Sequence, residues 1–136
     1  MSFLLDTNVV SEPTKPNPDH RVRAWLEATK TEDRYISVLV LGEIRRGIEG
    51  LRRRDPRRAQ TYESWLRQLN REHAGRIVPV TAEIGEEWGR TSVPAPIPPI
   101  DGLMAATAKV RGWTFVTRNI GALGRTGVSL LNPFEG

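Results

Sequence analysis

Three carboxylates stand out by their surroundings. Asp6 directly follows the apolar run Phe3-Leu4-Leu5, Glu43 is bracketed by Leu39, Val40, Leu41 and Ile44, and Asp101 comes straight after a proline-rich stretch. Three such oxygen ligands brought to one place would suit a hard divalent cation, Mg2+ or Mn2+, which keeps several waters and uses few carboxylates together with substrate phosphate. Such an ion can lower the pKa of a bound water and neutralise charge on a phosphodiester as one oxygen displaces another in line. Cysteine is absent and the only histidines are His20 and His73, so a disulfide framework and a thiolate zinc site are excluded. Neither a Ser-His-Asp arrangement, a Walker loop nor a glycine-rich dinucleotide fingerprint is visible.

Each acid also has a purely structural reading. Asp6 can cap the turn that follows it through its own side chain. Glu43 can lie on the surface and pair with Arg46 three positions on, although its apolar neighbours and Gly47 one turn away suggest half burial. Asp101 can be an ordinary helix N-cap. Thr7 and Asn8 serve equally as turn formers or as donors to a site. Gly47 costs a helix about 1 kcal/mol relative to alanine, and close approach of another backbone would account for it. An aspartate after a first strand also suits phosphoryl transfer as a nucleophile, but the second aspartate expected two residues later is Asn8.

The elements that must position these residues follow from periodicity. Phe3-Leu4-Leu5 reads as a buried strand delivering Asp6-Thr7-Asn8 to its carboxyl end, and Tyr35-Ile36, Ile77-Val78, Thr114-Phe115-Val116 and Val128-Ser129-Leu130-Leu131 read as further strands. Asp19 caps a helix with Val22, Trp25 and Leu26 on one face. Ser37 caps another whose stripe is Leu41, Ile44, Ile48 and Leu51. After Asp55-Pro56 a helix presents Tyr62, Trp65, Leu66 and Leu69, so the two should form a hairpin. A helix from about Thr81 to Arg90 precedes Pro94, Pro96, Pro98 and Pro99, a stretch expected to be non-helical surface loop. From Asp101 to Arg111 a helix carries small residues, Ala105, Ala106 and Ala108, and Gly112 is its natural stop. Strands alternating with helices predict a three-layer α/β/α sandwich with a mostly parallel central sheet. Ligands bind such sheets beyond the strands' carboxyl ends, where Asp6 and the Thr117-Arg118-Asn119 turn both fall.

Length and composition agree. A chain of 136 residues has room for one domain, 1–136, with its own core. No apolar run approaches the ~18 residues of a membrane span and the N-terminus lacks a charged leader, so a soluble cytoplasmic protein is expected. The formal net charge of +4 is concentrated: Arg45, Arg46, Arg52, Arg53, Arg54, Arg57 and Arg58 face only Glu49 and Asp55 between positions 45 and 58. This ridge is either a solvated helix face or a contact for RNA or another acidic partner, with Arg45, Arg46, Arg52, Arg53 and Arg54 as the candidates.

The run Leu4-Leu5-Asp6-Thr7-Asn8-Val9-Val10-Ser11-Glu12, followed by Ile36-Ser37-Val38 and Leu41-Gly42-Glu43-Ile44, closely resembles the PIN-domain family, specifically its VapC-type toxins. Ile100-Asp101-Gly102-Leu103-Met104-Ala105-Ala106-Thr107-Ala108 resembles the family's third-acid helix, Val116-Thr117-Arg118-Asn119 its late strand and turn, and Leu131-Asn132-Pro133-Phe134 its C-terminus. The resemblance implies a PIN-like fold and a Mg2+- or Mn2+-dependent endoribonuclease, the toxin of a toxin-antitoxin pair. Asp6, Glu43 and Asp101 would be its acidic ligands, with Thr7, Asn8, Thr117 and Asn119 in support. It also implies a cognate antitoxin filling the active-site groove, an RNA substrate, and a homodimer or dimer of dimers. One position departs from the pattern. Many relatives place a fourth acid two variable residues after Thr-Arg-Asn, where this chain has Ala122, followed by Leu123. A second metal would therefore be held poorly, which favours one-metal catalysis and leaves open a weakly active or inactive module that binds antitoxin or RNA.

Overall fold

The computed structural model describes residues 1–135. Its strands are β1 (Phe3–Leu5), β2 (Arg34–Ser37), β3 (Ile77–Val78), β4 (Thr114–Val116) and β5 (Ser129–Leu131). They pair in the order β3-β2-β1-β4-β5, and every ladder is parallel. The sheet is thus all-parallel where a mostly parallel one was expected. The strand around Tyr35-Ile36 is longer than the sequence suggested, and the last one begins at Ser129.

Helices fill the crossovers. A short α1 (Thr7–Val10) and then α2 (His20–Ala28) separate β1 from β2, α3 (Val38–Leu51) and α4 (Pro56–Glu72) separate β2 from β3, and α5 (Ala82–Thr91) and α6 (Pro99–Arg111) separate β3 from β4. Right-handed crossovers put the helices of the β1-to-β3 march on one face and those of the return to β4 on the other, which gives the three layers. Accordingly α3 packs on α4 and β2, while α6 packs on α5, β1 and β4. The chain's direction of travel across the sheet reverses at the β1/β4 boundary, the topological switch point at which open α/β sheets bind ligands.

Local chemistry sets the element boundaries. Asp19 accepts from the Arg21 amide to cap α2, Ser37 from the Leu39 amide to cap α3, and Asp55 from the Arg58 amide, with Pro56 opening α4. Thr81 caps α5, and Gly112 ends α6 in the left-handed conformation with φ 72°. Leu4, Ile36, Phe115 and Val116 of the sheet are fully buried together with Val22, Val40, Met104 and Ala108 from the helices. Phe3 meets Trp25 edge to face at 5.2 Å between ring centres, tying α2 to β1. Among the described residues no helix is long and apolar enough to cross a membrane.

Two expectations are corrected. The proline stretch is not wholly loop: α6 begins at Pro99, where a missing amide hydrogen costs nothing because first-turn amides have no helical partner. Gly47 is not explained by a close backbone, since a Cβ built there meets nothing within 4 Å. It lines an open groove instead.

Candidate active site

Asp6 sits where β1 ends, and its amide donates to the Val116 carbonyl of β4 at 2.9 Å. Its side chain does two jobs. Oδ1 accepts from the Thr7 amide at 2.7 Å, capping α1, so the structural reading holds in part. Oδ2 accepts from the Thr117 hydroxyl at 2.6 Å and the Asn8 amide group at 3.2 Å. Thr117, fully buried at the end of β4, accepts in turn from the Asn119 amide at 3.0 Å. Asn8 Oδ1 accepts from the Arg118 amide at 3.3 Å, so the β1 and β4 ends are bonded to each other through Asp6.

Glu43 lies on α3, half-buried, and its partner is not Arg46: the Thr7 hydroxyl donates to Oε1 at 2.5 Å. Asp101 is in the first turn of α6 without being its N-cap. That position is Pro98, which offers no side-chain cap bond, so the capping explanation of Asp101 fails. Asp6 and Asp101 are both raised by their surroundings. Burial, the largest cause, pushes Asp6 up to about 6 against the opposing pull of the Thr117 and Thr7 hydrogen bonds, and the Asp101 and Glu43 charges add to the rise. Asp101 is raised as well, by burial first and then by Glu43. Burial and neighbouring negative charge thus oppose the ionisation of Asp6 and Asp101, and a cation placed beside them would relieve this.

A match to the PIN domain family model spans residues 3–126. The chain belongs to the PIN domain family. Toxin FitB of Neisseria gonorrhoeae is 34% identical to this PIN domain, aligned over 98% of the chain and 99% of the relative. VapC ribonuclease Y4jK of Sinorhizobium fredii is 30% identical, aligned over 98% of each. The crystal structure of FitAcB from Neisseria gonorrhoeae superposes with a TM-score of 0.91 at 34% identity, covering 98% of this chain and 99% of that one.

The donor set of this PIN domain suits a hard cation. Asp6, Glu43 and Asp101 offer only carboxylate oxygens, and the histidines are elsewhere: His73 ends α4 on the Leu69 carbonyl and His20 lines a separate cavity with Glu12 and Arg118. The acids have not closed on one another. Among the described residues no group of three acidic or histidine side chains is spaced to hold a metal as it stands. Asn119 contributes its backbone to Thr117, while its side chain lines a cavity of about 440 Å3 with Asp101 and Ala122. The acid-free position thus borders Asp101.

The basic ridge divides on inspection. Arg45 forms a two-pronged pair with Glu63 of α4 at 2.6 and 2.7 Å, and Arg52 bonds Glu63 at 3.2 Å and Glu49 at 2.8 Å. Both arginines therefore clamp the α3–α4 hairpin. Arg46 lines a shallow cavity with Glu43 and Ile100. Arg53 is exposed at the hairpin turn, and Arg54 is exposed on the rim of the groove beside α1. Two features escaped sequence reasoning. A Cβ at Gly102 would come within 3.0 Å of the Trp88 ring, so glycine beside Asp101 lets α6 pack on α5. Its signal was a glycine interrupting a run of helix formers. Glu12, 5% exposed, accepts from the Asp19 amide at 2.9 Å and pairs with Lys15, anchoring the loop before α2.

Proposed function

We propose that this chain, one nuclease domain over residues 1–136, is the endoribonuclease toxin of a toxin-antitoxin pair. It would act in the cytoplasm with Mg2+ or Mn2+ held by Asp6, Glu43 and Asp101. The observation that carries this reading is the buried Asp6 at the switch point, fixed by Thr117 and Asn8, its carboxyl pushed up by burial first and then by the Asp101 and Glu43 charges. The similarity to Toxin FitB and VapC ribonuclease Y4jK supports it.

A divalent cation bound there would activate the attacking water and offset charge on the phosphodiester. The chain's own residues prepare that event. Thr117 and Asn8 orient Asp6 Oδ2, Thr7 holds Glu43 at the site's edge, and the first turn of α6 presents Asp101. The cognate antitoxin would silence the site by occupying its groove, and a homodimer is the expected assembly.

The test uses purified protein freed of antitoxin, incubated with structured RNA and Mg2+ or Mn2+. Wild type should cut and Asp6→Asn should not; equal cutting by both refutes the site. Thr117→Val, which removes only the orienting hydroxyl, should lower cutting about 10- to 100-fold. The absence of a carboxylate at Ala122 favours a second reading, a weakly active or silent module that holds antitoxin or RNA. Calorimetric detection of a cation bound by wild type and lost in Asp101→Asn would count against it.

A further inference from the structure

A groove of about 360 Å3 lies between α1 and the α3–α4 hairpin, lined by Thr7, the residue that holds Glu43, by Ile44, Ile48 and Leu51 of α3, and by Trp65 of α4. A second cavity adjoins it at Arg58, Tyr62 and Trp65 and is lined also by Thr14 and Pro16. The charge of its walls is one-sided. Arg54 and Arg58 line it, no acid does, and among the described residues neither arginine side chain is in an ion pair. The Arg58 guanidinium lies over the Tyr62 ring at 5.7 Å, and Tyr62 meets Trp65 edge to face at 6.1 Å. Gly47 keeps the α3 side open, because a Cβ there would meet nothing within 4 Å. Half-buried aromatic rings flanked by unpaired guanidiniums offer stacking to a base and charge to its phosphates, the combination by which proteins hold single-stranded nucleic acid.

We propose that this groove is a nucleotide subsite, in which a base of single-stranded RNA stacks on Tyr62 and Trp65 while Arg54 and Arg58 take the phosphates leading to the acids. The inference rests on the nuclease reading, since Thr7 joins the groove to Glu43. An acidic peptide is the other occupant such walls would admit. The aromatic pair favours RNA, because a base has two faces to stack and an acidic side chain has none.

The experiment measures fluorescence anisotropy of a labelled single-stranded RNA octamer of mixed sequence, in EDTA so that nothing is cut, with the full chain. Gly47→Leu fills the groove from a helix that gains propensity, and Arg58→Glu places an acid in the first turn of α4, so both should fold. Each is expected to weaken binding about tenfold or more, as is Trp65→Leu, while Trp65→Phe should stay within about threefold of wild type. Thermal melts confirm folding. Wild-type affinity in folded Gly47→Leu and Arg58→Glu overturns the inference, as does failure of wild type to bind the octamer. So does displacement of the RNA by poly-glutamate at equal charge concentration, which would assign the groove to a peptide. Cutting assays separate the two readings. Asp6-dependent cutting without groove-dependent binding leaves the nuclease and removes the subsite, whereas groove-dependent binding without cutting does the reverse.

Discussion

Asp6 caps α1 through Oδ1 and, in the function proposed above, would also be a metal ligand. It is only 3% exposed, and burial holds its carboxyl near 6, although an ordinary aspartate sits at 3.8. Between those values the folded chain keeps a proton that the unfolded chain has released. The stability this group contributes in the absence of metal therefore falls as pH rises from about 4 to about 6, and stays low above. Asp6→Asn removes the charge and keeps the shape. Relative to its effect at pH 4, the substitution should gain about 1–3 kcal/mol at pH 7.5, measured by urea denaturation in EDTA. An offset that is the same at both pH values would place the effect in packing rather than charge. The position of Asp6 at a strand end was legible from three apolar residues and an acid. That Thr117 falls at the same sheet edge was legible too, but its bond to Asp6 across 111 residues was not, because it depends on the register of the β1–β4 pairing.

At the scale of elements, periodicity located the strands and helices because each buries one face, and caps such as Asp19, Ser37 and Gly112 marked their ends. What periodicity could not locate depends on chain segments distant in sequence. The ridge from Arg45 to Arg58 looked uncompensated because Glu63, which neutralises Arg45 and Arg52, lies on the next helix, outside the run of arginines. The start of α6 was hidden by its prolines, although Pro99 suits a first helical position. Glycines divide in the same way. Gly47→Ala enters open space and should stabilise the chain by up to about 1 kcal/mol. Gly102→Ala would drive its methyl against the Trp88 ring and should destabilise by about 1–3 kcal/mol, displacing the first turn of α6 and Asp101 with it. Denaturation of the two variants side by side checks both signs, and the Gly102 variant should also lose RNA cutting.

For the whole molecule, the candidate site exists only when the fold does, because its acids come from the end of β1, from α3 and from α6. A cation that binds this arrangement and not the unfolded chain must raise stability by mass action. At a free concentration of 100 times its Kd the gain is about 2.7 kcal/mol, which for a chain of this size is a rise in Tm of roughly 5–10 °C. Mn2+ should therefore raise the Tm of wild type, and Asp101→Asn should respond little. Titration calorimetry should find one ion per chain, because Ala122 presents no carboxylate to the cavity it shares with Asp101 and Asn119. Ala122→Asp places an acid on that wall and is expected to bring a second ion with its own heat of binding. If wild type already binds two, the carboxylates of Asp6, Glu43 and Asp101 suffice for both and Ala122 is no obstacle. If wild type binds none while its RNA contacts persist, the chain is a binding module rather than a nuclease.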